Sequence, residues 1–131
     1  MALRILLSVA AVYTALAGLA FIFAPRVAGA GAVPADASPA LIAYLRLFGS
    51  PFLGIAALDW AARNAGPSTA RNAIILGNIV GFGAIAALDV WGALSGARPL
   101  TTLFAVVHVL FTAAFVWIGR KSMSAEQGEE A

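Results

Sequence analysis

Four apolar segments dominate the chain, each close to the roughly 20 residues that a helix needs to cross a bilayer. They run from about 3 to 24, "LRILLSVAAVYTALAGLAFIFA", from about 39 to 63, from about 71 to 94, "RNAIILGNIVGFGAIAALDVWGAL", and from about 100 to 119. Pro25 closes the first, and Arg120 with Lys121 stops the fourth. None shows the strict apolar–polar alternation of a half-buried strand. Lipid offers no partners to backbone N–H and C=O groups, so open segments of this length must satisfy themselves as helices. The expected fold is all-α, an integral membrane four-helix up-down bundle over residues 1–121. The acidic tail over 122–131, "SMSAEQGEEA", is expected to be disordered.

Composition excludes the soluble alternative. Of the 131 residues, 62% are hydrophobic and 11% charged, with a mean hydropathy of +0.94. A soluble domain is about 45–50% apolar and about 25% charged, and a chain this short leaves much of its surface outside any core. Lipid must cover that surface. The net charge of +2 and isoelectric point near 9.7 do not indicate nucleic acid, because the basic residues are scattered singly without a patch. With no cysteine in the chain, disulfides, thiolate nucleophiles and cysteine metal sites are excluded. The first segment also carries Arg4 and the small-residue stretch "AGAGA", as a signal peptide would. Its apolar run exceeds the usual 7–15 residues of such a leader, so a retained first helix is expected.

Arginine and lysine set the expected orientation. With four spans, Arg4, Arg63, Arg71, Arg120 and Lys121 share one side, and Arg26 and Arg98 face the other. The bias places both termini in the cytoplasm of a bacterial inner membrane. The 25–38 loop, "PRVAGAGAVPADAS", is then extracytoplasmic, and its Gly, Ala and Pro content predicts mobility.

Polar residues inside the spans are costly and therefore informative. Arg46 lies about seven residues inside the second span and Asp89 about seven residues before Gly96. Both are thus about 10 Å from the same face at 1.5 Å per residue. Matching depths predict an Arg46–Asp89 ion pair, either structural or flooring a cavity. Asp59 shares a face with Phe48, Phe52, Ile55 and Arg63, and an i,i+4 pair with Arg63 is expected, anchored at the interface by Trp60. His108 lies about 14 Å deep by helix rise, on a face with Thr101, Phe104, Phe111, Thr112 and Phe115. As the only histidine it cannot build a two-histidine metal or haem site within one chain, and no metal is expected.

Small residues and breakers complete the pattern. Gly77, Gly81 and Gly83 permit close backbone approach, and Asn78, Gly81, Ile85 and Asp89 fall on one face, which predicts the third span as the packing centre. Gly49-Ser50-Pro51 is expected to break the second span at mid-depth, since Pro51 has no N–H and its ring opposes the Leu47 carbonyl. "IAALD" recurs at 55–59 and 85–89, by coincidence in alanine-rich helices or by duplication. No nucleophile–histidine–acid spacing, phosphate-binding glycine loop or HExxH motif is present.

Arg46-Leu47-Phe48-Gly49, early in the second span of "LRLFGSPFLGI", resembles an Arg-x-aromatic-Gly signature of small bacterial four-helix membrane proteins, some of them DoxX-like. The resemblance implies the same fold. For DoxX itself it implies quinone-dependent thiosulfate oxidation, although no residue here carries that chemistry over. The leading expectation is a non-enzymatic membrane protein that binds a lipophilic ligand or a partner subunit. Its pocket would use Arg46, Ser50, Asn78, Asp89 and His108. The alternatives are a DoxX-like redox or accessory protein using a quinone, and an oligomeric channel or transporter.

Overall fold

The structure is a computed structural model that describes residues 1–96 and 100–127. Its elements are α1 (Ala2–Phe23), α2 (Pro25–Ala28), α3 (Pro39–Ala62), α4 (Thr69–Leu94), α5 (Thr101–Ala114) and α6 (Arg120–Gln127). One π-helical turn, Phe115–Gly119, joins α5 to α6. No strand occurs among the described residues. Four helices are long and apolar enough to cross a membrane: α1, α3, α4 and the continuous run Thr101–Met123. At 1.5 Å per residue, the 22 residues of α1 reach about 33 Å, enough for a hydrocarbon core of about 30 Å.

Local chemistry sets the helix ends. Ser38 Oγ accepts the Leu41 N–H and Ser68 Oγ accepts the Arg71 N–H, each at 3.2 Å, capping α3 and α4. Pro39 occupies the first turn of α3, where its missing N–H costs nothing. The chain leaves α4 through Gly96, whose φ of +66° is a left-handed turn open to glycine at little cost.

Packing joins these helices in two pairs, α1 with α3 and α4 with α5. The first pair rests on a glycine contact. A Cβ on Gly49 would lie 2.5 Å from the Gly18 carbonyl oxygen, and one on Gly18 would lie 2.9 Å from that of Gly49. Only glycine lets the two backbones meet so closely. Phe21 and Phe52 stack beside this contact, with ring centroids 6.0 Å apart. In the second pair, Phe82 stacks on Phe111 at 4.5 Å and on Phe115 at 5.8 Å. Gly119 admits Ile75, whose Cγ2 would clash with a Cβ there. The two pairs meet at one end through a core of Leu6, Leu7, Ala10, Ala62, Phe82 and Phe115. Beyond that core, α3 and α4 scarcely touch.

Four expectations are corrected. The helix runs unbroken through Gly49-Ser50-Pro51; in a spanning helix a single lost hydrogen bond at Leu47 does not unwind the neighbouring turns. The third span is not the packing centre, because a Cβ on Gly77 or Gly81 would meet nothing within 4 Å. The 25–38 loop is tied down: Pro25–Ala28 is helical, and the Arg26 guanidinium donates to the carbonyls of Pro34, Ala35 and Ala37. The fourth helix continues to Gln127, so residues 122–127 of the expected tail are helical, and 128–131 lie outside the described residues.

The glycine contact gives a direct test. Gly49→Ala should destabilise the fold by about 1–3 kcal/mol, the usual cost of overpacking. Gly54→Ala, where an added Cβ meets open space, should stay within about 1 kcal/mol of wild type or exceed it. Thermal unfolding in mild detergent would measure both. Equal effects of the two substitutions would remove the Gly18–Gly49 contact from the account.

Candidate ligand cleft

Two polar clusters stand on one face of α4. Asn78 and Asp89 are separated by eleven residues, about 16 Å along the axis, and eleven steps of 100° return to nearly the same direction. Each meets a different helix.

Asn78 faces α3. Its Nδ2 donates to Asp59 Oδ1 at 2.6 Å and to the Ile74 carbonyl at 3.0 Å. Asp59 is fully buried and Asn78 nearly so. The remaining oxygens of the pair, Asp59 Oδ2 and Asn78 Oδ1, are both buried and have no hydrogen-bond partner. The expected Asp59–Arg63 pair is therefore corrected. Arg63 donates back to the Trp60 carbonyl, and its guanidinium lies 3.6 Å from the centre of the Trp60 ring. Stacking on an interfacial tryptophan lets the cation keep contact with water. An interior partner would have drawn it into the apolar core.

Asp89 faces α5. Its Oδ2 lies 2.6 Å from His108 Nδ1, and the Tyr13 hydroxyl of α1 lies 2.7 Å from His108 Nε2. A carboxylate accepts only from a ring N–H, so Nδ1 carries the proton and Nε2 accepts from the Tyr13 hydroxyl. A single chain, Tyr13 to His108 to Asp89, thus ties α1, α5 and α4 together. The expected Arg46–Asp89 pair is corrected here as well. Arg46 is exposed on α3 and forms no ion pair with a described residue. The reason lies in the helix pairing: α5 packs along α4 and brings His108 to Asp89, whereas α3 stands across a gap. A long arginine side chain near a helix end reaches the interface instead.

That gap is a cleft of about 840 Å³ between α1, α3 and α4, with α5 at one end. Phe21, Phe52, Ile55, Phe82 and Ile85 supply apolar wall, Gly77 and Gly81 leave its α4 side flat, and both polar clusters border it. Of the five residues expected to bind, Asn78, Asp89 and His108 line the cleft. Arg46 and Ser50 are exposed on α3 and are not among its lining residues. Tyr13 and Asp59 were not among the expected ligand contacts. The signal for Asp59 lay on the helical wheel, since Phe52 and Ile55, which share its face, also border the cleft. For Tyr13 the only hint is a phenol in the middle of an otherwise apolar span. No group of three or more metal-ligating side chains occurs among the described residues. Compared with protein-family models, with curated proteins and with solved structures, the chain matches none.

The pairing makes a quantitative claim. A double-mutant cycle of His108→Ala and Asp89→Ala on unfolding free energy should show coupling of about 1.5–3 kcal/mol, as for a hydrogen bond to a charged group. Arg46→Ala should change stability by less than about 0.5 kcal/mol. Coupling of Asp89 to Arg46 instead of His108 would reverse the assignment.

Proposed function

We propose that the chain is a non-enzymatic, multi-pass protein of a bacterial inner membrane that holds a lipophilic small molecule in the cleft. The observation carrying this reading is the cleft itself. Its volume of about 840 Å³ falls within the roughly 300–1,000 Å³ of small-molecule sites. Its make-up is also that of such sites, mostly apolar wall with a few convergent polar groups. The glycines of α4 support the reading from another side: where two helices use Gly-x-x-x-Gly to touch, the motif is filled, and here Gly77 and Gly81 face open space. The hydrogen bonds of the Tyr13–His108–Asp89 chain tie α1, α5 and α4 together at the border of the cleft.

Filling the cleft tests the proposal. The chain in phosphatidylcholine nanodiscs should bind naphthylethanol saturably above the partitioning into empty nanodiscs. The double substitution Gly77→Leu, Gly81→Leu should weaken that binding at least about tenfold, or 1.4 kcal/mol. Added side chains there meet no existing atom within 4 Å of their Cβ, so thermal stability should be kept. Unchanged binding in the filled variant would dismiss the cleft as the site.

Orientation in the membrane is part of the proposal, with an up-down course and both termini cytoplasmic. The chain contains no cysteine, so single cysteines report sidedness without background. Ala30→Cys in the first long loop should react with an impermeant maleimide on intact spheroplasts. Gly66→Cys, between α3 and α4, should react only after lysis. The opposite pattern would invert the topology.

A further inference from the structure

We infer that Asp59 and Asn78 form the head-group seat of the cleft, and that the molecule seated there is a protonated primary amine on an apolar body. The inference rests on the cleft reading above and names the ligand class within it. Its basis is an imbalance between donors and acceptors. The Asp59–Asn78 pair spends one donor, Asn78 Nδ2, on one acceptor, Asp59 Oδ1. Asp59 Oδ2 and Asn78 Oδ1 are then two buried acceptors with no donor. Buried polar atoms are rarely left so, and a carboxylate inside a membrane span without a counter-charge is the costliest case.

No basic side chain among the described residues supplies the missing charge. Arg63 is held on Trp60. Arg71, at the start of α4, donates to the Ala65 carbonyl and to Ser122. His108 belongs to Asp89, on the second polar cluster. What would satisfy the pair is a group with at least two N–H donors and a positive charge, and a primary ammonium has three donors and that charge. Asp59 and Asn78 both border the cleft, so the apolar body of such a molecule has room between α1, α3 and α4. Phe52 and Ile55, two turns and one turn before Asp59 on α3, form wall beside it. Asp59 itself has no solvent exposure. Seating the ammonium therefore includes a turn of the Asp59 side chain towards the cleft, while the Asn78 amide keeps its bond to the Ile74 carbonyl.

Two isosteric probes isolate the charge: naphthylethylamine, protonated at neutral pH, and naphthylethanol, which is neutral. Equilibrium dialysis against the full chain in phosphatidylcholine nanodiscs, corrected for empty nanodiscs, gives both dissociation constants. The expected result is that the amine binds wild type about tenfold to a hundredfold more tightly than the alcohol, the range of a charge-assisted hydrogen bond. Asp59→Asn should erase that preference while alcohol binding persists, which also reports an intact cleft. Equal, saturable binding of the two probes to wild type would overturn the amine seat and leave the lipophile cleft standing. Asp59 would then carry a proton that closes a second hydrogen bond to Asn78. Saturable binding of neither probe would overturn the cleft reading together with the seat.

Discussion

The Gly18–Gly49 contact decides how the four spans divide. In lipid no hydrophobic force drives helices together, so association depends on close packing and on hydrogen bonds between helices. Where each added Cβ would lie under 3 Å from the opposite carbonyl oxygen, α1 and α3 are committed to one another. The other two long helices find their own devices: Phe82 stacked on Phe111 and Phe115, Gly119 admitting Ile75, and His108 bonded to Asp89. Two tight pairs result, fused at one end by the core around Leu7 and Phe115. The cleft is the space that this division leaves between them.

The two carboxylates that border the cleft find their donors on different helices. Asp89 takes its proton donor from α5, its partner in the pair, and His108 passes the link on to Tyr13 of α1. Asp59 takes its donor from Asn78 of α4. Two arginines of α3 and its C-terminal end go outward, Arg63 onto the Trp60 ring and Arg46 to the exposed face of α3. Arg71 is instead buried against the Ala65 carbonyl and Ser122. A long cationic side chain near a span end can reach the interface at little cost, whereas a short carboxylate cannot. That difference in reach separates the buried Asp59 from the exposed Arg46. It also leaves Asp59 with an acceptor to spare, in the wall of the cleft.

Much of the fold was legible in the sequence, and less of the site. Apolar run length and Pro25 mark the spans because each acts locally, whereas the helix runs on through Arg120 and Lys121 to Gln127. The depths of Arg46 and Asp89 were also legible, and they match, yet depth says nothing about which helices adjoin. Asp89 and His108 stand nineteen residues apart and pair because α4 and α5 pack. Gly77 and Gly81 carry a close-packing motif, but the glycines that pack closely are Gly18 and Gly49. The motif describes what a backbone permits, not which partner arrives. Pro51 shows the same limit from the other side. It removes one hydrogen bond from a helix that has no water to unwind into, so the helix persists.

By itself, then, the sequence determined that the chain is helical and lies in a membrane. Both follow from runs of apolar side chains and from a backbone that lipid cannot solvate. It also marked Asn78, Asp89 and His108 as polar groups within the spans, but not that Asp59 would be buried and Arg46 exposed. Only the tertiary structure decided which of them meet, because partner choice depends on helix adjacency and on the outward reach of each side chain. The pairing of α1 with α3 and of α4 with α5 turned a candidate ion pair into the Tyr13–His108–Asp89 chain. It set Asp59 against Asn78, and it opened beside them a space of about 840 Å³ that no single helix encodes.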